Sequence, residues 1–213
     1  MKLYSYWRST AAYRVRIALN IKQLDYEYKA VHLVKDGGEH LQKNYQELNP
    51  QSLVPALELN DGTVLTQSLA IIDYLQETFP HNSLYPQESV QKAQAQAMAL
   101  SIACDIHPLN NLRVLKYLKG QSWQQEQVDL WYAHWIIQGF NAIEKQLQVS
   151  ADIYCFGQKV SVADIFLVAQ VYNANRFQVD LHDYPLIRKI NAHCLQQKAF
   201  SDALPEKQID CDS

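Results

Sequence analysis

Residues 2–6 (Lys-Leu-Tyr-Ser-Tyr) alternate polar and apolar, and near Ala11 the period changes, with Val15, Ala18 and Leu19 recurring at the spacing of one helix face. A strand followed by a helix is predicted. Positions 25–33 return to period two, which turns Tyr26, Tyr28 and Ala30 to one face of a second strand. The connection is short, so the two strands are expected to pair in parallel within a β-α-β unit. Positions 35–38 (Lys-Asp-Gly-Gly) form a loop, and 39–48 hold two or three helical turns before Asn49-Pro50 stops them. Val54-Pro55 opens the next strand, because a proline cannot donate to the ladder and keeps its predecessor extended. That leaves the Val54 backbone N–H and C=O to offer a ligand. Strands 56–59 and 64–66 are joined by Asp61-Gly62, read as a two-residue turn. Gln67 or Ser68 then marks the start of an apolar helix. The order βαβαββα predicts one mixed sheet covered by helices.

Two prolines in 79–87 interrupt the pattern and mark a linker. Beyond it the spacing is helical almost throughout, over 89–106, 109–118, 122–149, 162–175 and 185–197, which predicts a helix bundle. Ser161-Val162-Ala163-Asp164 is a capping box with aspartate in place of the usual glutamate. Trp123, Trp131 and Trp135 fall on the longest helix and are read as packing residues. Residues 206–213 read as a frayed end. The fold class is therefore α/β plus all-α, with domains at 1–80 and 88–213.

Composition narrows the functions. Of 213 residues, 48% are hydrophobic, enough for a substantial core, and the net charge of −3 leaves 19 basic residues spread rather than clustered. Nucleic acid and anionic membrane surfaces are not expected as partners of such a chain. Cys104, Cys155, Cys194 and Cys211 lie far apart, forming neither a C-x-x-C pair nor a metal-ligand cluster with the seven histidines. No metal is expected, and thiols that are mostly buried or idle fit a reducing cytosol. The first residues run straight into strand alternation, so no signal peptide is read, and the apolar runs fall far short of the roughly 20 residues that span a bilayer. The expectation is a soluble cytoplasmic protein.

Candidate chemistry starts at Ser9-Thr10, two hydroxyls that open the first helix. A helix N-terminus presents free N–H groups and a positive dipole end, which suit an anion such as a thiolate. An N-cap contributing about 1 kcal/mol accounts for the same hydroxyls, and Gln67-Ser68 carry the same two readings. Arginines occur at 8, 14, 16, 113, 176 and 188. A guanidinium grips a carboxylate bidentately, so a dicarboxylate ligand is within their reach. For Arg176 a cation near a helix C-terminus is the equal alternative. Arg14 and Arg16 are read as solvated or structurally paired.

A sheet domain of this order followed by a helical one resembles the cytosolic glutathione transferases over essentially the whole chain. Arg8-Ser9-Thr10 leading into Tyr13-Arg14-Val15-Arg16-Ile17-Ala18-Leu19, Asn49-Pro50 through Val54-Pro55, and Gln67 to Ile72 resemble zeta-class motifs, while 104–113 is similar to bacterial maleylacetoacetate and maleylpyruvate isomerases. The resemblance implies a thioredoxin-like domain at 1–80, a helical domain at 88–213 completing the substrate site, glutathione as cofactor and a homodimer. It implies glutathione contacts from Ser9, Thr10, His40, Val54, a cis Pro55, Gln67, Ser68, His107, Asn111 and Arg113. It further implies substrate carboxylates on Arg8, Arg113 and Arg176, with Ser9, Thr10 and Arg176 catalytic. The activity it implies is glutathione-dependent isomerisation of maleylacetoacetate. The alternatives are maleylpyruvate isomerisation, general conjugation or dehalogenation, and a binding module without turnover. Thr10 and Ala11 stand where the class has a second serine and a cysteine, so the reacting thiol must come from glutathione.

Overall fold

The computed structural model describes residues 1–211 and divides into two compact units. One is Met1–Ser83 together with the stretch from Gln197, and the other is Leu84–Gln196. The first unit follows the predicted order: β1 (Lys2–Ser5), α1 (Thr10–Ile21), β2 (Glu27–Ala30), α2 (Lys43–Leu48), β3 (Ala56–Glu58), β4 (Val64–Thr66) and α3 (Ser68–Thr78). Its sheet runs β2-β1-β3-β4, with β1 and β2 parallel and the other pairs antiparallel. Leu3 pairs with Tyr28 on one side and Leu57 on the other, and both leucines are fully buried. This is the mixed sheet covered by helices that the element order predicts for the first unit.

Several boundaries differ from the sequence reading. β2 is shorter than 25–33 because its partner β1 has four residues, and the ladder closes with Val31 N–H donating to the Ser5 carbonyl. The helix expected over 39–48 is split: Gln42 is extended (φ −75°, ψ 149°) between a 3-10 turn at Glu39–Leu41 and α2. The hairpin loop has three residues rather than two. Leu59 N–H donates to the Thr63 carbonyl and Gly62 takes φ +87°, a left-handed position that glycine reaches without strain.

The second unit holds α4 (Ser89–Leu100), α5 (Leu112–Gly120), α6 (Gln125–Ser150), α7 (Val162–Arg176) and α8 (Pro185–Leu195). Instead of ending at 106 as a plain helix, α4 widens into a π-helical turn over Ser101–Ile106, where His107 N–H reaches back to the Ile102 carbonyl. Gly139 of α6 faces it, and a Cβ there would come within 2.1 Å of Ile106 Cδ1. Trp123 precedes α6, contrary to expectation, but its ring meets Trp131 edge to face, and Trp131 meets Trp135 in the same way. The capping box is present: fully buried Asp164 accepts from Ser161 N–H, Ser161 Oγ and Cys155 N–H, each at 2.8 Å. Among the described residues no helix is long and apolar enough to cross a membrane.

The C-terminal stretch departs furthest from its reading. Of the end read as frayed, residues 206–211 pack into the first unit together with the preceding 197–205, through α9 (Lys198–Ser201), a 3-10 turn at Pro205–Lys207 and Asp210, which accepts from Trp7 N–H at 3.0 Å. Phe200 is fully buried, Tyr13 Oη donates to its carbonyl at 3.4 Å, and Asn20 Nδ2 donates to the Ala199 carbonyl at 3.0 Å. Buried carbonyls with side-chain donors leave little reason to fray. Residues 212 and 213, part of the same expectation, lie outside the described residues.

Asp164→Ala strands two buried N–H donors and a buried hydroxyl, each costing about 1–3 kcal/mol. A loss of at least about 3 kcal/mol is expected, read as a lowered urea midpoint with an unchanged slope.

Candidate functional site

The sequence-predicted residues divide between the units, with Arg8, Ser9, Thr10, His40, Val54, Pro55, Gln67 and Ser68 in the first and His107, Asn111, Arg113 and Arg176 in the second. In the first unit α1 begins at Thr10, and Ser9 is its N-cap (φ −72°, ψ 115°), its Oγ accepting from Ala12 N–H at 3.2 Å. Accepting that bond leaves the hydroxyl proton uncommitted among the described residues. The same serine therefore caps the helix and keeps a proton to donate. Thr10 is buried at 3% exposure, whereas Ser9 is half-buried, so Ser9 is the more accessible hydroxyl. Arg8 lies over the Trp7 ring, 4.3 Å from its centroid.

Val54 is tied to the same region by packing. Trp7, Tyr6, Val31, Tyr45 and Val54 form one buried hydrophobic cluster, which joins the segment leading to Ser9 with the segment before β3. Tyr45 Oη and Asn49 Nδ2 both donate to the Leu53 carbonyl at 2.7 Å. Leu53 is held from two sides, the Val54-Pro55 bond is cis, and the Val54 backbone makes no hydrogen bond among the described residues. Burial pushes the Tyr45 phenol up to about 12, so it stays a donor.

Gln67 starts α3 from a left-handed conformation (φ +68°) with no side-chain cap, and its Nε2 donates to Gln51 Oε1 at 3.2 Å. Ser68 is not a cap: it stands in the first turn and accepts from Arg14 Nη1 at 3.4 Å. An uncapped helix start with a guanidinium at its first turn is chemically suited to negative charge. His40 packs on Gly38, where a Cβ would come within 2.5 Å of its ring.

In the second unit His107 closes the π-helical turn, and Asn111 is the N-cap of α5, its Oδ1 accepting from Arg113 N–H at 3.1 Å. Arg113 is exposed. Arg176 ends α7, with its guanidinium 5.1 Å from the centroid of the Phe177 ring.

Of the two readings of Arg14 and Arg16, solvated or structurally paired, the structural one holds, and sequence reasoning missed their partners: they are buried at 1% and 0% exposure and bind serine hydroxyls and backbone carbonyls. Arg16 donates to Ser5 Oγ, the Trp7 carbonyl and the Ala203 carbonyl, each at 3.1 Å. Asp210 completes the hold, accepting from Trp7 N–H and Tyr28 Oη. The available signal is slight: Tyr13, Val15, Ile17, Ala18 and Leu19 surround the two arginines with more apolar positions than a single buried face needs.

A family model described as the N-terminal domain of glutathione S-transferase matches residues 3–83. The chain is 49% identical to the probable maleylacetoacetate isomerase of Vibrio cholerae over 209 residues, 98% of this chain and 97% of that protein. It is similar to a holo structure of maleylpyruvate isomerase, a bacterial zeta-class enzyme, at 46% identity and TM-score 0.96 over the whole of both chains. It is likewise similar to the maleylacetoacetate isomerase of Methylobacterium extorquens AM1, solved with malonate and glutathione bound, at 36% identity and TM-score 0.95 over the whole of both chains.

Ser9→Ala removes the N-cap acceptor and is expected to destabilise the protein by about 1 kcal/mol, whereas Ser9→Asp keeps an acceptor for Ala12 N–H. Denaturant melts of both variants check this ordering.

Proposed function

We propose, because this chain belongs to the zeta-class glutathione transferase and maleylacetoacetate isomerase family, that it is a glutathione-dependent cis–trans isomerase converting maleylacetoacetate to fumarylacetoacetate. The observation that carries the mechanism is the double use of Ser9, whose oxygen accepts from Ala12 N–H while its proton remains to stabilise an anion.

The first unit's residues suit the parts of glutathione. The Val54 backbone pairs with an extended peptide as an added strand would, next to Pro55. Gln67, Ser68 and the uncapped start of α3 receive the γ-glutamyl carboxylate, with Thr10 and His40 as further contacts; for His107, Asn111 and Arg113 of the second unit, glutathione contact rests on the family resemblance alone. When bound, glutathione supplies a thiolate that adds reversibly to the cis double bond, so that rotation takes place about a single bond.

A free thiol titrates near 8.5, and lowering it by about two units needs about 2.7 kcal/mol. One hydrogen bond to a charged group supplies about 1.5–3 kcal/mol and a helix N-terminus about 0.3–1. Ser9 at the start of α1 is sufficient in magnitude, with Thr10 assisting. Arg8, Arg113 and Arg176 hold the substrate carboxylates, and Arg176 also stabilises the negative charge that develops as the double bond is attacked. The protein is read as cytoplasmic and homodimeric, with transferase side activity. Maleylpyruvate is the second substrate reading, supported by the likeness to the maleylpyruvate isomerase structure.

Turnover of each maleyl acid with and without glutathione tests the assignment. Activity is expected to need glutathione and to fall about 10–100-fold at neutral pH in Ser9→Ala. That variant's thiol titrates higher, so its rate should recover as pH rises toward 9. Glutathione-independent turnover, or an unchanged pH profile in the variant, overturns the scheme.

A further inference from the structure

Arg176 stands at the edge of an aromatic stack whose inner member has its own chemistry. The Phe177 ring lies face to face with Tyr132 of α6, centroids 3.5 Å apart and planes 11° from parallel. Tyr132 is 3% exposed. Its backbone carbonyl accepts from Asn110 Nδ2 at 3.0 Å, and the indole N–H of neighbouring Trp131 donates to the Leu109 carbonyl at 2.8 Å. Segment 107–113 and the end of α7 are thus both fastened to α6 at this residue.

The stack needs a ring and would form with phenylalanine. What tyrosine adds is the hydroxyl, and that hydroxyl makes no hydrogen bond among the described residues. Although the residue is 3% exposed, its hydroxyl is not one of the buried polar atoms that lack a partner, so the ring is enclosed while the hydroxyl is open to solvent and to a ligand. Burial pushes the phenol well above its ordinary range; the Arg176 charge acts in the opposite direction and does not prevail. The group stays protonated and can only help an acceptor. Arg176 is exposed at the end of α7, and a cation there together with a neutral donor suits one carboxylate, the guanidinium supplying charge and the phenol direction.

We propose that Tyr132 Oη donates a hydrogen bond to the substrate carboxylate held by Arg176, which makes Tyr132 a specificity-determining residue for dicarboxylate substrates. This rests on the assignment of Arg176 above. It extends that assignment to a residue from a different helix.

The test compares the wild-type protein, Tyr132→Phe and Arg176→Ala, all saturated with glutathione. It measures kcat and KM for maleylacetoacetate, maleate affinity by calorimetry, and conjugation of the neutral 1-chloro-2,4-dinitrobenzene. Tyr132→Phe should lower kcat/KM for the maleyl acid about 10-fold or more and weaken maleate comparably. Conjugation and the KM for glutathione should be unchanged, and the two substitutions should combine less than additively. Wild-type kcat/KM and maleate affinity in Tyr132→Phe overturn the proposal, as does an equal loss toward the neutral electrophile. If the wild-type protein isomerises neither maleyl acid, the functional assignment fails separately, and maleate affinity alone decides the role of Tyr132.

Discussion

The guanidinium of Arg16 is the interaction on which the first unit depends. It is fully buried, and its bonds join two stretches far apart in the sequence: the end of β1, through Ser5 Oγ and the Trp7 carbonyl, and the C-terminal stretch, through the Ala203 carbonyl. Burying a cation costs several kcal/mol, which good geometry and full hydrogen bonding must offset. Desolvation draws its basicity down, while Tyr28, Tyr26, Tyr13 and Asp210 act in the opposite direction. Asp210 takes up the Trp7 N–H that Arg16 cannot. Trp7 is therefore held at both its amide and its carbonyl, two residues before Ser9, and the start of α1 is set by a network rather than by a free loop.

The two helix starts of this unit are prepared differently for negative charge. At α1 a serine fills the cap and keeps a proton to offer, whereas at α3 the cap is bare and Gln67 holds a left-handed backbone worth about 1–3 kcal/mol of strain. Arg14 joins the two, five residues into α1 and within reach of Ser68. Under the proposed assignment, the atom to be tuned would meet a hydroxyl, and the group to be held would meet amide N–H groups and a cation.

How much of this could be read from the chain follows from the range of each interaction. The element order, Ser9 as a cap and the Ser161–Asp164 box are local, and each was legible from a few neighbouring residues. The three-residue hairpin loop was misjudged by one position because Asp-Gly suits both lengths. The split in 39–48 and the early end of β2 are set by partners distant in sequence. The buried arginines show the same limit. Their polar ends find acceptors on β1 and near residue 203, which no periodicity within α1 announces. The tail was misread for the complementary reason: Phe200 and Asp210 acquire their meaning from α1, Trp7 and Tyr28. Tyr132 counts as one more apolar position by helical spacing, and the stack beneath Arg176 emerges when α6 and the end of α7 are seen side by side.

The return of residues 197–211 to the first unit makes that unit discontinuous along the chain. During synthesis the sheet and its first three helices leave the ribosome long before the stretch that supplies Ala203 and Asp210, with the whole of Leu84–Gln196 emerging in between. Until then Arg16 lacks one of its three acceptors and Trp7 N–H lacks its carboxylate. The nascent first unit can gather its core early but cannot fix the segment before Ser9. The order of translation thus delays the finished geometry of that helix start until the helical unit has been made.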